Sequence, residues 1–143
     1  MTAPFATAMR VYWEDTDGGG IVYYANYLRF LERARTEWLR ALGWSQQALA
    51  VDPGILFAVV HVDIRYRESA RLDDLLVVSC VPRIESRAVA RFEQRVYRDA
   101  LDGALLAEAT VEVACIDARS HRPKRLPAFV TDAAVPAPAG GAA

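Results

Sequence analysis

Apolar positions recur at short intervals from Ala8 to Trp13, and then the chain enters a turn-rich stretch of two aspartates followed by three glycines. The first run has the character of a short strand and the second that of a turn. From Asn26 the period changes. Tyr27, Leu31, Ala34, Trp38 and Leu42 recur at spacings of four, three, four and four, with Arg29, Arg33, Glu37 and Arg40 on the other side. This spacing predicts an amphipathic helix of about four turns. Asn26 suits its N-cap and Gly43 its C-terminal stop. Leu28, Phe30 and Leu39 widen the apolar surface, as in an element covered on more than one side. Ser45 then caps a short second helix through Gln46 to Ala50, ended by Asp52-Pro53-Gly54.

Beyond Gly54 the pattern is that of strands. Val60, Val62, Ile64 and Tyr66 alternate with His61, Asp63, Arg65 and Arg67, the period of a half-buried strand. Leu75 to Val81 is a short continuous apolar strand, and Val89 to Arg98 is a mixed one. Asp102-Gly103 marks a hairpin turn, after which Ala107, Ala109, Val111, Val113 and Cys115 alternate. The last three strands should form an antiparallel meander. One long helix with a strand before it and four after it predicts an α+β fold whose sheet wraps the helix. The expected organisation is one domain over residues 1–132 and a disordered tail made only of Ala, Val, Pro and Gly over 133–143.

Composition narrows the function. The 143 residues are 53% hydrophobic and 24% charged, enough for one buried core. The first residues lack the basic cluster and apolar run of a secretory signal, and no stretch approaches the ~18 apolar residues of a membrane span, so a cytoplasmic location is expected. Seventeen basic and 18 acidic residues are interspersed, giving a net charge of -1. That balance argues against a nucleic-acid partner. Cys80 and Cys115 lie inside apolar runs and read as buried free thiols. No metal site is indicated.

The segment from Tyr12 to Tyr27 carries the candidate chemistry. Its glycines permit close backbone approach to a ligand, and the helix that follows presents unpaired N–H groups with partial positive charge. A carboxylate there can serve as base or nucleophile beside an oxyanion site; alternatively, Asp15 and Asp17 cap turns. A calcium loop counted from Asp15 would need glutamate at its twelfth position, which is Asn26. On the helix, Glu32 and Glu37 are expected to pair with Arg35 and Arg33. His61 and His121 are isolated and lack a paired nucleophile.

The run Val11-Tyr12-Trp13-Glu14-Asp15-Thr16-Asp17, the glycines after it, Ile21-Val22-Tyr23, Ala25-Asn26-Tyr27 and Glu32 to Glu37 together resemble the 4-hydroxybenzoyl-CoA thioesterase family, and most of all its bacterial Tol-Pal-associated acyl-CoA thioesterases. The similarity continues through Ser45 to Leu49, Ala70 to Asp74 and Arg125-Leu126-Pro127. It implies a hotdog fold, an antiparallel sheet wrapped around one central helix, assembled as a homodimer or homotetramer. It implies Asp17 as the catalytic carboxylate, acting as nucleophile or general base, and the backbone N–H of Tyr24 as the group that polarises the thioester carbonyl. Gly20, Val22 and Tyr27 are then expected to line the substrate site. The chain departs from the Tol-Pal-associated pattern in carrying Tyr24 where many relatives have histidine. It departs again at Tyr66-Arg67-Glu68-Ser69, on the expected rim.

The implied substrate is an acyl-CoA, whose coenzyme is part of the substrate, so no separate cofactor is expected. Its phosphates need local cations, for which Arg87, Arg91, Arg122, Lys124 and Arg125 are the candidates. A hotdog dehydratase would need a histidine with an acidic partner near the helix, and this segment has none. The other alternative is a non-catalytic acyl-CoA or acyl-carrier binding module of the same fold, in peripheral contact with inner-membrane or lipid-synthesis proteins.

Overall fold

The computed structural model describes residues 3–136. Its elements are β1 (Phe5–Arg10), α1 (Tyr27–Ala41), α2 (Gln46–Val51), β2 (Ile55–Tyr66), β3 (Leu75–Ile84), β4 (Val89–Arg98), β5 (Leu105–Asp117) and α3 (Ala128–Ala133). Two 3-10 turns, Trp13–Asp15 and Tyr24–Asn26, bridge β1 and α1. The strands form one antiparallel sheet in the order β1-β3-β4-β5-β2, with the expected meander of β3, β4 and β5 at its centre. The α+β layout, with one long helix held by a sheet, is the one the sequence pattern predicts.

The core lies between α1 and one face of the sheet. Leu76, Val78 and Cys80 of β3, Phe92 and Val96 of β4, and Val111, Val113 and Cys115 of β5 are buried there with Phe30, Leu31, Ala34, Trp38 and Leu39 of α1. Trp38 meets Phe92 edge to face, with ring centroids 5.1 Å apart. Both cysteines are free and buried. The period of two turns Arg91, Glu93, Arg95 and Glu108 to the opposite face, where Arg83 and Arg91 pair with Glu93 and Arg91 also pairs with Glu85. One amide enters the core side: Gln94 is buried and donates to the carbonyls of Leu31 at 3.0 Å and Ser79 at 3.4 Å.

Several local expectations are corrected. The first strand is Phe5–Arg10, and Trp13 belongs to a 3-10 turn because Val11 leaves the ladder to bond the loop before β3, through Val11 N–H to Asp74 O at 2.9 Å. Strand β2 begins at Ile55, and Val60 sits at a register shift between Val59 and His61, so Val59 rather than Val60 shares the α1 side with Val62 and Ile64. The turn between β4 and β5 is longer than a two-residue Asp-Gly loop, with Arg98 N–H bonded to Ala104 O at 3.0 Å. On α1, Glu32 accepts from the Thr36 hydroxyl, Glu37 pairs with Arg40, Arg35 donates to Gln94, and Arg33 lies over the Phe30 ring. The expected Glu32–Arg35 and Glu37–Arg33 pairs do not form.

Helix α3 was not anticipated. It buries Val130 and stacks Phe129 on Trp44 at 4.8 Å. The expected tail begins later than Ala133: Val135 N–H donates to Pro82 O at 2.8 Å, and Arg83 donates to the carbonyls of Val135 and Pro136. Residues 137–143 of that tail lie outside the described residues.

Candidate active site

The loop between β1 and α1 is built around Asp15. Its side chain is 4% exposed; Oδ2 accepts the Tyr12 N–H at 2.8 Å and Oδ1 accepts the Asn26 Nδ2–H at 2.9 Å. The Asp15 carbonyl accepts the Tyr23 N–H at 3.1 Å. Asn26 is therefore not the side-chain cap that its position suggested. It makes no capping hydrogen bond, and its amide fixes the entry of α1 to the loop.

Asp17 stands two residues on and is exposed. Thr16 and Val22 form an antiparallel bridge, and Asp17 N–H donates to Ile21 O at 3.0 Å, closing a tight loop over the three glycines. Gly18 and Gly20 both have φ +88, a left-handed conformation that side chains disfavour. The loop is tied to the segment before β3 through Val22 N–H to Ala70 O at 2.8 Å and Leu72 N–H to Gly20 O at 2.9 Å. Asp17 itself is held by one local bond, Gly19 N–H to Oδ1 at 2.7 Å. The carboxylate is thus oriented and open to solvent.

Tyr24 opens the 3-10 turn that leads into α1, so its N–H has no acceptor within the helical segment. Its carbonyl accepts the Tyr66 hydroxyl at 2.8 Å. Tyr27 is buried, its hydroxyl oxygen accepts the Ala70 N–H at 3.0 Å, and burial pushes its phenol above the usual pKa. The rings of Tyr23 and Tyr24 are 5.0 Å apart, and those of Tyr27 and Tyr66 are 5.1 Å apart. A cavity of about 580 Å³ is lined by Asp17, Val22, Tyr23, Tyr24, Tyr27 and Tyr66, with Ile21 and the 67–69 segment completing it. Such a space is of the size that accommodates a small organic group.

A match over residues 11–134 to the family model described as "Thioesterase-like superfamily" decides the affiliation. The chain belongs to the thioesterase-like superfamily. The family resemblance drawn from the segments between Val11 and Pro127, and the hotdog fold it implies, are thereby borne out. Among curated relatives, the acyl-CoA thioesterase YbgC of Haemophilus influenzae is 46% identical over 123 residues, which is 86% of this chain and 88% of that protein. The acyl-CoA thioester hydrolase YbgC of Escherichia coli O6:H1 is 41% identical over 126 residues, 88% of this chain and 92% of that one. The 1,4-dihydroxy-2-naphthoyl-CoA thioesterase Slr0204 from Synechocystis superposes with a TM-score of 0.82 at 26% identity, covering 92% of this chain and 95% of that one. A probable thioesterase from Bartonella henselae gives a TM-score of 0.80 at 35% identity, covering 87% and 100%.

In this thioesterase-superfamily chain, Asp17, Val22, Tyr24 and Tyr27 line one cavity, and Gly20 shapes the loop beside it. Tyr66 to Ser69 form the other wall, where the rim was expected. The Tyr66–Tyr24 hydrogen bond was not foreseen, since a strand tyrosine read by periodicity carries no sign of a partner 42 residues away.

The basic residues are elsewhere. Arg87 lies in the turn joining β3 to β4, and Arg87 and Arg125 line a separate cavity. The Asp17 loop meets the chain just before β3, so a ten-residue strand, ~30 Å at the usual rise per residue, separates the two ends. Arg91 is paired with Glu85 and Glu93, and Lys124 stands 3.8 Å from Asp117. Arg122 is exposed in the same region. One chain does not bring these cations to Asp17.

Proposed function

We propose that this protein is an acyl-CoA thioesterase in which Asp17 and the N–H at Tyr24 act on the thioester carbonyl. The observation that carries the reading is that an oriented, exposed carboxylate and the first N–H of the helical segment belong to one aromatic-walled cavity. A backbone N–H at a helix start can donate to the oxygen that gains negative charge as the carbonyl is attacked. Asp17 can remove a proton from water as it adds to the carbonyl carbon, or can itself add and give a mixed anhydride that water opens. Either route breaks the C–S bond; coenzyme A leaves as its thiol, and the acyl group leaves as a free acid. The names of the YbgC relatives support the substrate class. The reading goes with the cytoplasmic location that the sequence leads one to expect. No helix among the described residues is long and apolar enough to cross a membrane.

The functional unit in this proposal is a homodimer or homotetramer. Strand β2 is a sheet edge of 12 residues with Val59 and Val60 49% and 58% exposed, and Tyr23 and Tyr24 are exposed beside the cavity. An edge that long and apolar favours pairing with another chain. Arg87 and Arg125, which make no ion pair among the described residues, would then serve the phosphates of a substrate bound to a neighbouring chain.

The test is hydrolysis of acetyl-, medium-chain, long-chain and hydroxybenzoyl-CoA, followed with a thiol reagent, by the wild type and by Asp17→Asn. Hydrolysis of at least one substrate is expected, with kcat reduced ~10²- to 10⁴-fold in the variant. A folded Asp17→Asn protein retaining more than about a tenth of wild-type kcat would sink the assignment.

A further inference from the structure

Residues 67–74 join β2 to β3, and the first three of them line the Asp17 cavity. Three hydrogen bonds tie the middle of this segment to the site. Ala70 N–H donates to the Tyr27 hydroxyl oxygen at 3.0 Å, Val22 N–H donates to Ala70 O at 2.8 Å, and Leu72 N–H donates to Gly20 O at 2.9 Å. Arg71 adds an antiparallel bridge to Ile21, whose carbonyl accepts the Asp17 N–H. The placement of the glycine loop, and of Asp17 on it, therefore follows the placement of Ser69 to Leu72.

The two ends of the segment are fixed by main-chain bonds. Arg67 and Glu68 N–H both donate to Leu106 O, and Asp73 and Asp74 exchange hydrogen bonds with Val11. Between these ends, and among the described residues, one side chain of the sheet reaches the stretch. Arg98 Nη2–H donates to Ser69 O at 2.9 Å, and its Nε–H donates to Asp74 Oδ2 at 3.1 Å. The same Oδ2 accepts the Arg71 N–H at 2.9 Å. One edge of the guanidinium thus holds Ser69 directly and Arg71 through the shared carboxylate. Burial of Ala70 keeps the stretch against the core, but apolar contact has no direction and these hydrogen bonds do.

Arg98 is well placed to act as a fixed point. It ends β4, opposite Leu76 of β3, with its own N–H bonded to Ala104 O at 3.0 Å. It does not line the Asp17 cavity; it lines an adjoining one with Glu68, Ser69, Arg71 and Asp74. Any influence on hydrolysis must pass through the segment. We infer that Arg98 is a positioning residue of the hydrolytic site, holding Ser69 to Leu72 so that the glycine loop sets the Asp17 carboxylate correctly against the Tyr24 N–H. The inference rests on the thioesterase reading above.

The experiment combines amide hydrogen exchange with kinetics on the intact protein. In Arg98→Met the Val22, Ala70 and Leu72 amides should exchange about tenfold or more faster than in the wild type, as loss of charge-assisted bonds implies. The Cys115 and Lys124 amides, bonded to Ala88 O and Cys115 O away from the site, should keep their rates. On the best hydrolysed of the four thioesters, kcat should fall about tenfold with KM changed by less than about twofold. Arg83→Met is the control for stability alone. It removes the ion pair to Glu93 and the bonds to Val135 and Pro136 at the other end of β3, and should melt lower yet keep kcat when measured fully folded. Arg98→Lys, a point charge without the planar fork, should show the same changes in smaller degree, and it decides the matter should Arg98→Met fail to fold. Unchanged exchange at Val22 and Leu72, an equal rise at all five amides, or a kcat loss as large in Arg83→Met would each overturn the role of Arg98 while leaving the hydrolytic reading intact. A wild type that hydrolyses none of the thioesters would instead sink that reading, and this inference with it.

Discussion

Asn26 donates through Nδ2 to the buried Oδ1 of Asp15 at 2.9 Å, and this one bond joins the turn that carries Asp17 to the first turn of α1. Because Asp15 also accepts the Tyr12 N–H, removing its carboxylate leaves the buried Asn26 amide and a part-buried backbone N–H without partners. Asp15→Ala should therefore lower the unfolding free energy by about 3 kcal/mol, in the range for a charged hydrogen-bonding group lost from the interior. Urea unfolding followed by circular dichroism measures it. A change below about 1 kcal/mol, no more than an ordinary surface effect, would contradict the structural role.

Tyr66→Phe removes the hydroxyl that donates to the Tyr24 carbonyl while keeping the ring beside Tyr27. The expected loss of stability is about 1 kcal/mol. Since Tyr24 is 64% exposed and this bond holds its carbonyl, the larger expected effect is on catalysis, a fall of up to ~10-fold in kcat with little change in KM. Paired kcat and KM measurements check it, and an unchanged kcat would show that the bond does not position the turn.

Alkaline solution should destabilise the protein from the pH at which an ordinary thiol begins to lose its proton. Burial pushes Cys80 up to about 12 from its ordinary 9.0, and raises Tyr27 above 10.0. In each case the unfolded state loses its proton first, so the stability from keeping the group neutral is full below the unfolded pKa and declines as pH rises through it. The melting temperature should fall steadily from about pH 9 upward, on the unfolded thiol's titration. Cys80→Ala should make that fall shallower at an overall cost in packing; an identical slope would remove Cys80 from the account.

The sequence made the elements legible where one period ran undisturbed. The helix from Tyr27 to Ala41 and the strands at Val89 and Leu105 repeat their apolar residues faithfully, since each faces a single core. Legibility failed where a long-range partner sets the local outcome. Val60 lies on a bulge dictated by β5, and Arg35 turns to Gln94 rather than Glu32 because an amide 59 residues away is already fixed in the core. In the site, Asp17 was found by resemblance, its glycines and helix start supplying a physical reason. Nothing in the spacing marked Asp15 as the buried brace or Tyr66 as the partner of Tyr24.

Oligomerisation through the free edge of β2 predicts that Val60→Lys, a charge placed on an exposed apolar edge position, weakens assembly. Sedimentation velocity at micromolar concentration should show the wild type as a dimer or tetramer and the variant shifted toward monomer, with activity falling in parallel. A wild type that is monomeric and fully active would refute the proposed assembly.

The sharpest probe of Asp17 leaves its carboxylate in place and moves it. Gly19 has an ordinary backbone conformation, but a Cβ added there would lie 3.1 Å from Asp17 Oδ1. That is tighter than a comfortable contact, so Gly19→Ala must displace the carboxylate by a few tenths of an ångström or loosen its bond from the Gly19 N–H. The Asp17 side chain is exposed, so little stability should be lost and the melting temperature should stay close to wild type. Chemistry is less tolerant, because a reacting group displaced by ~1 Å can cost 10²-fold, and a shift of a few tenths should cost roughly tenfold. Gly18→Ala offers the contrast. At Gly18 a side chain would meet nothing within 4 Å, but φ +88 strains any alanine, so that variant should lose about 1 kcal/mol of stability first. If Gly19→Ala melts normally and keeps full kcat, the position of the Asp17 carboxylate is immaterial to the rate, and its role as base or nucleophile would have to be abandoned.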